Sequence, residues 1–446
     1  MFSTNIAVTI LLGVFVVLMA LKVPITFSIM LACFATATYM GDSLMAVVLN
    51  MVQGLRNFSL LAIPFFILMG EIMGAGGISD KIVAMANAII GRVRGGLGLV
   101  NVLASKLFSG LTGSAVADTS TCGSILIPMM KKQGYDDGYS VAVTCASSCV
   151  VILIPPSHNM VLYSVMAGAG VSVADMFLAG IFPGLLLGFM LLILCYILSV
   201  VRKYPVSDYI PPGERVKAIL RGILPLGTVI IIMGGVILGV FTATESAAIA
   251  CIYAFLLTFV VYRNISIKEM YPVILRTLRT LGMVLPLIAA AAAFANIMTR
   301  LQIPGIMTNA LLSVSDNPMV VFLLINFLLL ALGTVMDMAP MILIMTPILL
   351  PVVTVFGMHP VHFGVVLIFN LAISLCTPPV GTVLFTGCAI GKISVEQASK
   401  SLMPMYILMI AVLLVVTFVP SISMWAPVSM GLIDPNTMTA SFWLNR

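Results

Sequence analysis

Gly110-Leu-Thr-Gly-Ser-Ala-Val-Ala-Asp-Thr-Ser-Thr-Cys-Gly-Ser-Ile-Leu-Ile-Pro128 gathers small residues, hydroxyls and one carboxylate into a chain that is otherwise oily. A shift of 223 positions leads to a counterpart, Gly333-Thr-Val-Met-Asp-Met-Ala-Pro-Met-Ile-Leu-Ile-Met-Thr-Pro-Ile-Leu-Leu-Pro351. The apolar pieces of the first stretch are too short to cross a ~30 Å hydrocarbon core, and Gly-, Ser- and Thr-rich backbone separates them. Both stretches read as re-entrant hairpins that enter and leave a membrane on one side, with the rest of the chain positioning them.

The composition supports a membrane setting. Of 446 residues, 61% are hydrophobic and 8% charged, against about 25% charged in a soluble domain. Apolar runs near the ~20 residues of a membrane span recur along the whole length, so the expected class is an all-α polytopic membrane protein without a soluble domain. Met1 to Leu21 lacks a basic leader and a small-residue cleavage pattern and reads as a retained span. The net charge of +6 matches basic cytoplasmic loops and does not call for nucleic acid. Eight cysteines lie in or beside apolar segments; Cys145 and Cys149, one helical turn apart, read as small core residues.

In chain order, spans are expected near 4–21, 25–40 and 58–76, with an interfacial helix at 42–57 and a basic amphipathic stretch from Lys81 to Arg94. After the first hairpin, the segment from Tyr139 to Ala169 is broken by Ile154-Pro-Pro-Ser157, and a span near 174–201 leads into a polar connector from Tyr204 to Arg221. The second half runs alike. Spans near 222–240 and 243–262 precede a basic amphipathic stretch with Arg263, Lys268, Arg276 and Arg279, and a span near 281–301 precedes a short piece ending at Asn317-Pro318. The second hairpin, a span broken at Thr377-Pro-Pro379 and a last span near 403–424 follow, with Trp425 as an interfacial anchor.

The duplication can be counted. Nine Gly or Pro residues lie between Gly110 and Gly168, and six of them meet the same residue type 223 positions on: Gly333, Pro351, Gly357, Pro378, Pro379 and Gly391. No Lys or Arg occurs between Arg300 and Lys392, whereas Lys106, Lys131 and Lys132 surround the first hairpin. The positive-inside rule therefore opens the first hairpin to the cytoplasm and the second to the outside. The result is an inverted repeat of five spans plus one re-entrant hairpin per half, with both termini outside. The parts are 1–96 (scaffold helices and arm), 97–203 (transport half), 204–221 (connector), 222–317 (second scaffold and arm), 318–424 (second transport half) and 425–446 (tail).

Intramembrane carboxylates are costly and default to function. Four are expected: Glu71, Asp118, Glu245 and Asp337. Asp118 and Asp337 fall in the hairpins, though out of register, since Asp337 aligns with Ser114 and Asp118 with Met341. Glu71 and Glu245 read as polar glue between helices, and Arg300 as a snorkelling cation. Half-helix N-termini and freed carbonyls at hairpins and breaks suit anionic groups and small cations respectively. Ser114, Thr119, Ser120, Thr121 and Ser124 offer hydroxyls on one side, with Thr334, Asn370, Ser374, Thr377 and Thr382 on the other. Ser157-His158-Asn159 is the most polar break, suited to substrate or ion contact; a hydrolase built on Ser157 and His158 lacks an orienting acid. His359 and His362 lack a third metal ligand.

Together, Gly113-Ser-Ala-Val-Ala-Asp118, Gly123-Ser-Ile, Pro128, Ile154-Pro-Pro-Ser157, Thr244-Glu-Ser246, Gly333-Thr-Val-Met-Asp337 and Asn370 through Thr377-Pro-Pro-Val-Gly381 resemble the large membrane subunit of tripartite ATP-independent periplasmic (TRAP) transporters. The resemblance covers nearly the whole chain. It implies an elevator-type sodium symporter of the ion transporter superfamily in the bacterial inner membrane. The expected partners are a separate small four-helix membrane subunit and a periplasmic substrate-binding protein, the substrate is a carboxylate such as sialic acid, another sugar acid or a C4-dicarboxylate, and there is no cofactor beyond sodium as coupling ion. The implied site comprises Ser114, Asp118, Ser147, Ser148, Pro155, Ser157, Asn159, Gly333, Asp337, Pro340, Asn370, Thr377 and Gly381. One sodium is expected near Ser114, Asp118 and Ser148, and another near Gly333, Asp337 and Thr377. The run Pro155-Pro-Ser-His-Asn159 looks most like the sialic-acid branch. A stand-alone anion symporter and a proton antiporter of the same superfamily are the alternatives. No Walker lysine motif is present, which fits transport without ATP hydrolysis.

Overall fold

The computed structural model describes residues 3–168, 170–206 and 210–434. Its first half comprises α1 (Thr4–Ala20), α2 (Ile25–Met40), α3 (Leu44–Gly54), α4 (Ala62–Ala75, entered through a 3-10 turn at Phe58–Leu61), α5 (Ile78–Ile90), α6 (Gly96–Thr112), α7 (Ala115–Lys132), α8 (Asp137–Leu153), α9 (His158–Ala167) and α10 (Val173–Val201). The second comprises α11 (Pro212–Ile237), α12 (Ala243–Leu256, continued by a π-helical turn at Leu257–Val261), α13 (Ile267–Arg300), α14 (Ile303–Val314), α15 (Pro318–Gly333), α16 (Met338–Val355), α17 (Pro360–Ser374), α18 (Thr382–Gly391), α19 (Val395–Phe418) and α20 (Ser421–Ser429). Among the described residues, seven helices are long and apolar enough to cross a membrane, and up to nine if each bent pair is one span. The molecule is an all-α polytopic membrane protein built on an internal repeat.

The repeat governs helix ends as well as glycines and prolines. Adding 223 to the bounds of α7, 115 and 132, gives 338 and 355, the bounds of α16. The same shift carries the first residue of α8, 137, onto 360, the first of α17, and places α9 on α18 to within one residue. Helix starts are set by local chemistry: Ser172 with Asp175, Thr242 with Glu245 and Ser266 with Glu269 form reciprocal capping boxes on α10, α12 and α13. The breaks between α8 and α9 and between α17 and α18 come from the Pro-Pro pairs. Proline lacks an amide hydrogen and pushes the preceding residue out of the helical region, and Ile154 accordingly sits at φ −90, ψ 123.

A helix apolar all round belongs inside, and α8 and α17 do: every residue from Gly138 to Leu153 and from Val361 to Ser374 is buried. Around them the halves exchange partners. The return arm of the first hairpin, α7, packs on α18, while α16 packs on α9. A second layer joins α13 to α2, α3 and α4, α12 to α4, and α11 to α5.

Several expectations are corrected. The hairpins are longer than the quoted stretches, running from α6 through α7 and from α15 through α16. Gly110 and Gly333 stay helical because they serve close approach: a β-carbon on Gly110 would lie 2.2 Å from Val229, and one on Gly333 would lie 2.4 Å from Ser374 Oγ. From Ile267 on, the basic stretch and the span that follows form one helix, α13, of 34 residues ending at Arg300. Its repeat mates, α3 and α4, are separated. The connector is shorter than expected, since Pro212 at the first helical turn starts α11. The last span starts at Val395 and ends at Phe418; Trp425 lies on α20 with its ring edge-on to Phe182. Glu245 caps α12 and does not bridge helices. Arg300 forms a two-pronged ion pair with Asp42, at 2.6 and 3.0 Å. The expected parts around Met1, Ala169 and the tail beyond Asp434 extend outside the described residues.

Candidate transport site

Two hairpin tips meet two broken helices. At the first, Gly113 takes a left-handed φ of 59° to turn the chain from α6 into α7. A β-carbon there would lie 2.5 Å from the Pro156 carbonyl oxygen and 2.9 Å from Ser157 Cα, so the tip rests directly on the break. Ser114 caps α7, its Oγ accepting from the Ala117 amide at 3.4 Å. One turn on, Asp118 is fully buried. Thr119 Oγ1 donates to Ser148 Oγ at 2.7 Å, and Ser148 Oγ donates to Asp118 Oδ2 at 2.7 Å. A parallel chain runs from Ser105 Oγ to Ser147 Oγ (3.2 Å) and on to Asn101 Oδ1 (3.1 Å), while Asn101 Nδ2 donates to Thr144 Oγ1 (2.7 Å).

Asn101, Ser105 and Thr144 are additions to the sequence reading. Their only signature was spacing: 101 and 105 share a face of α6, and 144 and 148 share one of α8. Pro155, Ser157 and Asn159 are buried at the break. Three buried oxygens here have no hydrogen-bond partner: Thr112 Oγ1, Asp118 Oδ1 and Ser157 Oγ. Ser120, Thr121 and Ser124, by contrast, return their hydroxyls to carbonyls of their own helix.

The second junction keeps the backbone plan and changes the chemistry. The Thr334 carbonyl at the hairpin tip accepts from the Val380 amide of the break at 3.1 Å. Asp337 holds the N-cap position of α16 but makes no side-chain cap bond and is exposed, whereas Pro340 is buried. Inside lie amides: Asn370 Nδ2 donates to Asn326 Oδ1 at 2.7 Å, and Asn326 Nδ2 to Thr417 Oγ1 at 3.3 Å. Thr377 Oγ1 donates to the Ile373 carbonyl at 3.0 Å, and the Gly381 amide to the Thr377 carbonyl at 3.2 Å. Asn370 Oδ1 and Thr382 Oγ1 are buried without partners. A buried, unpaired polar atom costs about 1–3 kcal/mol, so these atoms and those of the first junction need an explanation.

A cavity of about 550 Å³ adjoins the first junction, lined by Thr112, Ser114, Ser120 and Thr121 of the hairpin, His158 of α9, Gly70, Glu71 and Gly74 of α4, and Arg276 and Thr280 of α13. None of the second junction's site residues reaches it. Glu71 does bridge helices, receiving Arg276 Nε at 2.7 Å. The remaining candidates disperse. His359 caps α17 through Nδ1, and His362 lies between Ser423 Oγ and the Thr417 carbonyl. Among the described residues no group of three His, Cys, Asp or Glu side chains is placed to hold a metal. Ser157 Oγ has no partner at all, so no serine–histidine pair is formed.

Paired hairpins, paired broken helices and a buried polar interior define a membrane transporter. The fold matches the YdaH transporter of Alcanivorax borkumensis (TM-score 0.60, 13% identity, 86% of this chain and 88% of that one) and MtrF of Neisseria gonorrhoeae (TM-score 0.58, 12% identity, 86% and 83%). The family model described as the tripartite ATP-independent periplasmic transporter, DctM component, matches residues 12–422, and the chain belongs to that family. Relatives include the uncharacterized protein YgiK of Salmonella typhimurium, 40% identical over 94% of this chain and 97% of its own. Others are the sialic acid TRAP transporter large permease protein SiaM of Vibrio cholerae (36%; 85% and 88%) and the C4-dicarboxylate large permease protein DctM of Pseudomonas aeruginosa (34%; 88% and 91%). The family is one of transport permeases, not enzymes.

Proposed function

We propose that this chain is the large membrane subunit of a sodium-coupled importer in the bacterial inner membrane, with both termini periplasmic. A periplasmic binding protein delivers a carboxylate, either a sugar acid such as sialic acid or a C4-dicarboxylate. A small four-helix membrane subunit completes the scaffold, and the half-domains 97–203 and 318–424 move together as an elevator. The observation that carries this reading is the set of orphaned buried oxygens at both tip–break junctions: Thr112 Oγ1, Asp118 Oδ1 and Ser157 Oγ at the first, Asn370 Oδ1 and Thr382 Oγ1 at the second. Hard monovalent cations take oxygen ligands, and unwound backbone beside half-helix ends is where secondary transporters bind them. The sialic acid and C4-dicarboxylate permeases among this chain's relatives support a carboxylate as the substrate.

The test is uptake into proteoliposomes holding both membrane subunits, with the binding protein outside. Uptake should need an inward sodium gradient and the binding protein together. Uptake by this chain alone would point to a stand-alone symporter, and drive by a proton gradient without sodium would point to an antiporter.

A further inference from the structure

We infer that Arg276 receives the carboxylate of the transported solute and that Glu71 is its resident competitor, a carboxylate of the protein that occupies the guanidinium until the solute displaces it. The inference rests on the proposed function, in that it takes the 550 Å³ cavity as part of the solute's path. Arg276 is the only Arg or Lys, and Glu71 the only Asp or Glu, among the residues lining that cavity; His158 is the one other titratable side chain there. Both are partly open to it, with side-chain exposures of 46% for Arg276 and 31% for Glu71.

The geometry of the pair matters more than its presence. A guanidinium carries five N–H donors in a planar fork, and its one side-chain hydrogen bond to Glu71 runs from Nε to a single oxygen, Oε2. Both terminal nitrogens are without a hydrogen-bond partner among the described residues, which leaves the end of the fork, the edge that grips a carboxylate with two parallel bonds, available. A one-point contact is the weaker mode and exchanges with a two-point one. Ser114, Ser120, Thr121 and Thr280 line the same space; the last three give their hydroxyl protons to carbonyls of their own helices, which leaves their oxygens to accept from the hydroxyls of an oxygen-rich solute.

The rest of the fold sets this pair apart from structural ion pairs. Arg300 grips Asp42 with both terminal nitrogens, as a tie between helices would. The repeat mate of Arg276, at 276 less 223, is Gln53, and that of Glu71 is Phe294. The receptor and its competitor therefore exist once per molecule, on the side of the first hairpin, so only one face of the repeat presents a cation to the solute. Glu71 would also help release: once the solute slackens its hold, the neighbouring carboxylate retakes the guanidinium.

The experiment is sodium-driven uptake by the complete complex, using N-acetylneuraminate, gluconate and succinate as probes and continuing with whichever the wild type accumulates best. Glu71→Gln is expected to lower KM about tenfold and to cut the maximal rate severalfold, because binding loses its competitor and release loses its helper. Arg276→Lys, which keeps the charge and loses the fork, is expected to raise KM at least tenfold. An unchanged KM in Glu71→Gln, with lower thermal stability and rate, would overturn the inference and leave a structural tie between α4 and α13. Should Glu71→Gln fail to assemble, Arg276→Lys decides alone: a KM within twofold of wild type overturns it. Failure of the wild type to take up any of the three probes would instead overturn the proposed function.

Discussion

The two tip–break junctions share a backbone and differ in chemistry. In the first, a buried carboxylate, Asp118, is held by a relay of hydroxyls from Ser148 and Thr119. In the second, the interior holds no acid; two amides ending on a hydroxyl, Asn370 to Asn326 to Thr417, take the same place beside α17. The repeat mate of Asn370 is Ser147, itself part of the first junction's network. Asp118, Ser148 and Asn326, by contrast, map onto Met341, Leu371 and Leu103, so duplication has preserved the backbone plan but few of the polar positions. A carboxylate binds a cation by charge, and amide and carbonyl oxygens by dipole alone, so cations held at the two proposed sites should differ in binding strength and in sensitivity to mutation.

The sharpest probe of the shared backbone is the tip glycine. Gly113→Ala places a methyl group 2.5 Å from the Pro156 carbonyl at a positive φ, and sodium-driven uptake should fall by more than about thirtyfold. Gly333→Ala meets the Ser374 side chain instead, and paired with Ser374→Gly it should recover most activity. Equal, unrescued losses would mean that the second tip is as tightly seated as the first.

Charge is tested next. Asp118→Asn should raise the half-saturating sodium concentration about tenfold, while Asp337→Asn, exposed and without a cap bond, should shift it less than threefold. A larger effect at Asp337 would reverse the assignment of the charged site to the first half. A smaller effect is expected from Asn326→Leu, which strips Asn370 Nδ2 and Thr417 Oγ1 of a partner. The cost should be about 1–3 kcal/mol, read as a lowered thermal midpoint without loss of sodium dependence. The smallest belongs to Arg300→Ala: the ion pair with Asp42 is partly solvated, worth about 1 kcal/mol or less, and uptake should stay within twofold.

Much of this architecture was readable in the chain because Gly134 with Gly357 and the two Pro-Pro pairs mark, at a fixed offset, turns and breaks that a helix does not run through. The same reading misplaced the hairpin arms where glycine serves contact rather than turning, as at Gly110 against Val229. It also divided α13, since a charged amphipathic stretch and an apolar span look separate when nothing in their sequence marks a break or its absence. At the site, Ser114, Asp118, Ser148 and Asn370 were legible as polar residues inside oily segments. Lone polar residues such as Asn101 and Asn326 passed as incidental, because their meaning lies in partners 43 and 44 positions away. Glu71 and Arg276 are 205 positions apart, and no local pattern joins them.

One asymmetry of the repeat reaches further. The stretch that is jointed between α3 and α4 in the first half is an unbroken rod of 34 residues in the second, about 50 Å at 1.5 Å per residue. Leu55 to Asn57, at the joint, correspond to Leu278 to Thr280, inside the rod's N-terminal half and beside Arg276. The two halves thus offer an experimenter different handles. A spectroscopic label or a short insertion at Leu55–Asn57 falls on a ready-made seam and reports on movement, whereas the same change at Leu278–Thr280 cuts the beam that carries the cation and reports on its loss.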